Sequence, residues 1–172
     1  MRAWEDRTIE ERNLLNPAFC AVILWFLAKG YHTEANALSE PQNQIPITLA
    51  FVGSSFVLRG QTRRALPTTT RTSLPSWVTE HPLQRSAVAK GVEVLRPYVR
   101  EAIMVGAQQG ILGLAGGATL MSELSAKRRI NKYLRQATPE VQECASRAEF
   151  VGRWLMKSGT PSTVLSLLGM QA

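Results

Sequence analysis

The sequence predicts a mainly α protein with one small β-hairpin, folded as a single compact domain over residues 1–172. Three observations carry that expectation. Pairs of a capping residue followed by proline recur, at Asn16-Pro17, Thr138-Pro139 and Thr160-Pro161; the cap satisfies an unpaired N–H and proline fills the first helical position. Apolar residues follow helical spacing, and the period changes only around Gly116-Gly117. The 172 residues are 45% hydrophobic and 19% charged, a globular composition at a length that buries a core. Only residues 1–7 read as a loose terminus.

Taken in order, Thr8 and Glu11 form a capping box opening a short charged helix. Asn16-Pro17 starts a second helix that runs to Lys29, where Gly30 can take the left-handed terminal conformation. Residues 18–28 are apolar on every side, so this helix is either central or sandwiched between the core and a partner. The run is eleven residues long, whereas a bilayer span needs roughly 20. Residues 1–12 are mostly charged, where a secretory signal would be apolar. The expected location is therefore cytoplasmic. Cys20 and Cys144, both on apolar helix faces, are expected as reduced core thiols.

Residues 32–44 read as a polar loop ending before Pro46. Residues 47–58 form a second apolar segment, interrupted at Gly53-Ser54-Ser55, with helix favoured over strand because proline precedes it. Residues 60–74, rich in Arg and Thr, read as a loop. Residues 83–95 place Ala87, Gly91, Val94 and Leu95 on one helical face, and Pro97 opens a further helix that stops at Gly110. Residues 111–115 and 118–122 flank Gly116-Gly117, a two-residue turn whose positive φ glycine adopts without strain, giving a hairpin. Helix, helix, hairpin is the order of the latter part of a winged helix-turn-helix, which makes a winged-helix-like arrangement a candidate.

The helix from Thr138-Pro139 carries the clearest pattern. Glu140 suits its positive end, and Val141, Cys144, Ala145, Ala148, Val151, Gly152 and Leu155 form one amphipathic stripe ending near Gly159. Thr160-Pro161 begins a last short helix through Leu168, capped by Gly169. Its Val164, Leu165, Leu167 and Leu168 indicate a docked end.

A search for chemistry returns little. Nucleotide hydrolysis needs a glycine-rich loop ending in Lys and Ser/Thr, and the only glycine-rich stretch, residues 110–117, has no lysine. Metal-dependent nucleases gather carboxylates around divalent cations; aspartate occurs once, at Asp6. Two Cys and two His, far apart, do not make a zinc site. No G-x-S-x-G elbow is present, and His32 and His81 fall in expected loops. Burial would raise the Cys20 pKa and make it a poor nucleophile. No catalytic, cofactor-binding or metal residue is assigned, and the chain is expected not to be an enzyme.

The binding features are clearer. Lys plus Arg number 20 against 13 Asp plus Glu, and the excess is concentrated. Residues 42–79 contain no acid but hold Arg59, Arg63, Arg64 and Arg71; residues 125–138 hold Lys127, Arg128, Arg129, Lys132 and Arg135 without an acid. Each patch suits a solvated face, an acidic protein surface or nucleic acid. Arg63 and Arg64, placed in a loop, can pair bidentately with carboxylate or phosphate. Trp4, Trp77 and Trp154 do not all fit one buried face, and Trp is enriched at interface hot spots. Trp154 stands as a partner-contact candidate against an equal reading as core.

Several segments together resemble a known family. The run Asn13-Leu14-Leu15-Asn16-Pro17-Ala18-Phe19-Cys20 resembles the "LLNPAF" signature of the middle components of three-component ABC systems. Pro46 through Leu58 resembles that family's next apolar helix, and Leu66-Pro67 with Thr72-Ser73-Leu74 and Trp77 its "LP…TSL..W" loop. Arg96-Pro97 with Arg100-Glu101-Ala102 resembles the "P..REA" helix start, and Leu167-Leu168-Gly169-Met170 the "LLGV" ending, with Met170 replacing valine.

The resemblance implies a bacterial locus that pairs an SMC- or Rad50-like ATPase with an effector, often a nuclease, through a small middle protein; Lamassu anti-phage systems are among them. It brings no catalytic residues. It implies a non-catalytic bridge that holds the effector inactive until foreign DNA is sensed. The contact residues expected are Arg63, Arg64 and Arg71, then Lys127, Arg128 and Arg129, together with Arg59, Lys132, Arg135, Trp77 and Trp154. The rival class is a free-standing winged-helix DNA-binding regulator.

Overall fold

The computed structural model describes residues 15–41, 43–116 and 118–170; Trp4 and the Thr8–Glu11 capping box lie outside them. Helix α1 spans Pro17–Ala37, with the Asn16 side chain accepting a 2.8 Å bond from the Ala18 N–H. It is followed by β1 (Ile45–Pro46), α2 (Ile47–Leu58), α3 (Gly60–Arg64), α4 (Leu74–Glu80) and α5 (Pro82–Gln108). Strands β2 (Leu112–Ala115) and β3 (Thr119–Ser122) form the hairpin, and a 3-10 turn, Leu124–Ala126, leads into α6 (Lys127–Gln136). Helices α7 (Pro139–Lys157) and α8 (Pro161–Leu167) close the described chain. The mainly helical class with a small β-hairpin is as the sequence predicts. Among the described residues, no helix is long and apolar enough to cross a membrane.

Helix α1 is central, packed chiefly against α7 and α5, and its residues 19–28 are all buried. It runs two turns beyond the expected stop at Lys29. Gly30 is not a cap: it lies inside the helix, where a Cβ would strike the Glu149 carbonyl of α7. Tyr31, Glu34 and Ala35 continue the buried face while His32, Thr33 and Asn36 face outward, so the first part of the expected 32–44 loop is amphipathic helix. The true end uses Ser39 at φ 55°, and the Glu40 N–H bonds back to the Ala35 carbonyl. This is a Schellman-type stop made without glycine.

Gly53-Ser54-Ser55 does not interrupt α2. Ser54 Oγ donates to the Ala50 carbonyl at 2.8 Å and Ser55 Oγ to the Val88 carbonyl of α5 at 2.9 Å, so both buried hydroxyls are satisfied. Pro97 does not separate two helices either; α5 is continuous through it. Proline removes one N–H, but Glu93, whose carbonyl loses its donor, is exposed with Pro97, so water can replace the bond. The buried face of α5 is Val88, Gly91, Leu95, Val99, Ala102, Ile103 and Gly106, while Val94 points to solvent. The two helices expected over residues 83–95 and from Pro97 to Gly110 are thus one helix, and the helix before it in the chain is the short α4.

The hairpin pairs Leu112 with Ser122 and Ala115 with Thr119, and among the described residues of its turn Ala118 has a left-handed conformation (φ 55°). A third strand was not expected: β1 pairs antiparallel with β3, giving the order β1-β3-β2. Two residues ending in proline leave little strand pattern to read. Helices α7 and α8 start at Thr138 and Thr160 as expected, each threonine hydroxyl accepting from the N–H three residues on. Gly159 (φ 96°) and Gly169 (φ 75°) follow their ends.

Candidate protein-contact surface

The sequence-nominated residues divide by burial. Trp77 and Trp154 are each 1% exposed, which corrects their nomination as contact residues: with Phe56 they make a cluster of edge-on rings at 5.2, 5.6 and 5.8 Å. The Trp77 Nε1–H donates to the Ala65 carbonyl and the Trp154 Nε1–H to the Thr72 carbonyl, both at 2.7 Å. The two indoles thus pin the 65–74 segment from inside. The polar edge of a tryptophan, which suits an interface, serves a buried loop equally well.

Arg63 also leaves the surface. It is 4% exposed on α3, which the sequence placed within a loop, and its Nη1 donates to the Val57 carbonyl at 2.9 Å. Its Nη2 meets Glu140 Oε1 at 3.0 Å, and Nε stands 3.6 Å from Glu143 Oε2. That last distance is ionic contact without a hydrogen bond. The carboxylate partner expected from another molecule is supplied by the start of α7, through one hydrogen bond to Glu140 and the nearby charge of Glu143 and not through a bidentate pair.

Other acids are likewise taken up in folding. Glu34 is buried, with Arg153 Nε and Lys157 Nζ each 2.9 Å from its carboxylate. Burial alone would raise its pKa; hydrogen bonds and charge from Lys157 and Arg153 outweigh that and hold it below the ordinary range. Glu149 pairs with Lys29 at 2.8 Å. Cys20 and Cys144 are buried thiols outside any disulfide; burial, then the Glu101 charge, pushes the Cys20 thiol up to about 12. His32, on α1 and not in a loop, and His81 each donate through Nδ1 to a backbone carbonyl, of Asn43 and Trp77. Among the described residues, no group of three or more His, Cys, Asp or Glu could hold a metal ion.

The remaining cations are exposed. Arg59, Arg64 and Arg71 lie around the α3 and 65–74 segments. On α6, Lys127, Arg128, Arg129, Lys132 and Arg135 are all exposed, while Ile130 anchors the helix to the core. Arg128, Lys132 and Arg135 recur at i, i+4 and i+7 and so share an outer face. Arg129 donates to the Gln109 carbonyl at 2.7 Å. None of these cations has an ion-pair partner among the described residues.

Beside α6 lies a feature the sequence reading missed. A groove of about 270 Å³ opens between the start of α1 and α6, lined by Asn16, Ala18, Phe19, Val22, Ile111, Arg129, Ile130 and Tyr133. Tyr133 is 43% exposed. The available signal was Ile130, Tyr133 and Leu134 at helical spacing among the cations. Without the fold, nothing placed residues 19, 22 and 111 opposite them.

Comparison with known families matches residues 4–172 to the ABC-three component (ABC-3C) system Middle Component 3. No curated protein and no solved structure matches the chain. The resembling segments sit where the fold needs them: Asn16 caps α1, Leu66, Leu74 and Trp77 are buried, and Gly169 follows α8 in a positive-φ conformation. The chain belongs to the Middle Component 3 family of ABC-three component systems.

Proposed function

We propose that this middle component is a non-catalytic connector between an SMC- or Rad50-like ATPase and a nuclease-type effector. It would work in the bacterial cytoplasm, in anti-phage defence of the Lamassu kind, and hold the effector inactive until foreign DNA is sensed. The observation that carries the reading is the family match over nearly the whole chain. The distribution of charge supports it: Glu34, Glu140, Glu143 and Glu149 are engaged in internal ion pairs, whereas Arg59, Arg64, Arg71 and the α6 cations have no ion-pair partner among the described residues.

The physical scheme is a rigid body with basic contact faces. The buried α1 and the helices packed on it resist deformation, so movement of a partner is transmitted instead of absorbed. Arg59, Arg64 and Arg71 are one contact set, and the α6 cations the other, each meeting acidic protein surface or DNA held by the ATPase. Rearrangement of the ATPase then removes part of the buried contact and releases the effector.

Expression of the full chain with its neighbouring genes tests this reading. The expected result is stable co-purification with an ATPase and an effector, reduced by charge reversal at Arg59, Arg64 and Arg71. ATP hydrolysis or DNA cleavage by the purified chain alone would overturn it. The rival regulator reading requires tight duplex binding by the isolated chain, with affinity falling by orders of magnitude as salt rises.

A further inference from the structure

We propose that the groove between the start of α1 and α6 is the docking site for an acidic amphipathic segment of a partner subunit. The apolar side chains of that segment enter the groove and its carboxylates meet the cations of α6. The inference rests on the connector reading and names a contact within it.

The floor supplies the apolar half of the recognition. Phe19 and Val22 of α1, Ile111, Ile130 and Tyr133 line it. At about 270 Å³ the groove is at the small end of what enclosed small-molecule sites occupy, and it is open. It suits a few side chains projecting from a helix or strand, as in helix-in-groove recognition.

Charge identifies the occupant. Residues 125–138 contain no acid; Arg129 lines the groove, the other four cations of α6 face solvent on the same helix, and none of the five has an ion-pair partner among the described residues. The helix tolerates this at a local cost. Lys127, Arg128 and Arg129 fill its first turn, where a positive charge opposes the helix dipole. Arg128 and Lys132 repel at i, i+4, and Lys132 and Arg135 at i, i+3. Carboxylates brought by a partner relieve both effects. Nucleic acid would satisfy the outer face alone and leave Phe19, Val22 and Tyr133 without a use, so the apolar floor favours protein.

The test places the photo-crosslinker p-benzoylphenylalanine at position 133 of the full chain, co-expressed with its neighbouring genes, and identifies crosslinked peptides by mass spectrometry. The expected product joins position 133 to one segment of another component that combines Asp or Glu with apolar residues. Alongside it, the Arg128→Glu/Lys132→Glu pair is expected to weaken co-purification about tenfold, as loss of one good contact would, with a melting temperature that does not fall. Crosslinks to DNA, to another copy of the chain, or to a segment lacking acids overturn the proposal. So does an intact complex that yields no crosslink from position 133, although the connector reading then survives. Failure of the chain to co-purify with any component removes both.

Discussion

Gly30 and Gly152 meet at one helix crossing, each pressed against the backbone of the opposite helix. A Cβ on Gly30 would strike the Glu149 carbonyl oxygen, and a Cβ on Gly152 would strike the Leu27 carbonyl oxygen. The relation is reciprocal, one turn back along each helix. It sets how closely α7 approaches α1, and through α1 it sets the position of every surface feature. Gly152→Ala or Gly30→Ala is expected to destabilise the protein by about 2–3 kcal/mol, because backbone cannot yield as a side-chain tip can. Urea denaturation measures this; an unchanged midpoint would show that the crossing is looser than described.

Arg63 is expected to matter for folding and not for partner contact. Arg63→Ala removes the Val57 carbonyl's donor and the counter-charge of Glu140 and Glu143, at a cost of about 2 kcal/mol. The stability loss should appear in the isolated chain, and the folded fraction should still join its partners. A variant that is fully stable but fails to assemble would return Arg63 to the contact surface.

Glu34 gives stability an acid limb. Its carboxyl is held below the ordinary glutamate range in the folded state, so the unfolded chain binds a proton first as pH falls. The ion-pair contribution is complete above the ordinary range and is lost progressively as pH falls through the folded value. Glu34→Gln should therefore lower stability near neutrality and flatten its decline toward acid. Parallel pH profiles for the two proteins would contradict this assignment.

Thiol chemistry offers a direct check on the core. With Cys20 buried and its thiol pushed up to about 12, almost no thiolate exists at neutral pH; Cys144 is raised in the same direction, first by burial. A disulfide exchange reagent is expected to label neither cysteine in the native protein and both after denaturation. Rapid labelling without unfolding would mean that α1 or α7 is not sealed.

The sequence was most legible where one residue pair sufficed. Asn16-Pro17, Thr138-Pro139 and Thr160-Pro161 start helices where expected, and the period change around Gly116-Gly117 marked the hairpin. It was least legible where another element decided the outcome. Gly30 reads as a terminator until α7 is laid against it, and Pro97 reads as a helix start until solvent is seen beside it. Arg63, Trp77 and Trp154 carry polar groups that suggested a surface, but internal carbonyls and carboxylates satisfy them. The α6 cations were readable from composition alone, whereas the groove beside them required distant residues to converge.

The most direct measurement of the central claim is assembly from the native locus. The full chain, tagged and expressed with its neighbouring genes, should be recovered in one complex with an ATPase and an effector, and alone it should hydrolyse no ATP and cut no DNA. Recovery of the chain by itself from that mixture, or turnover of either substrate by the purified subunit, would contradict the connector role.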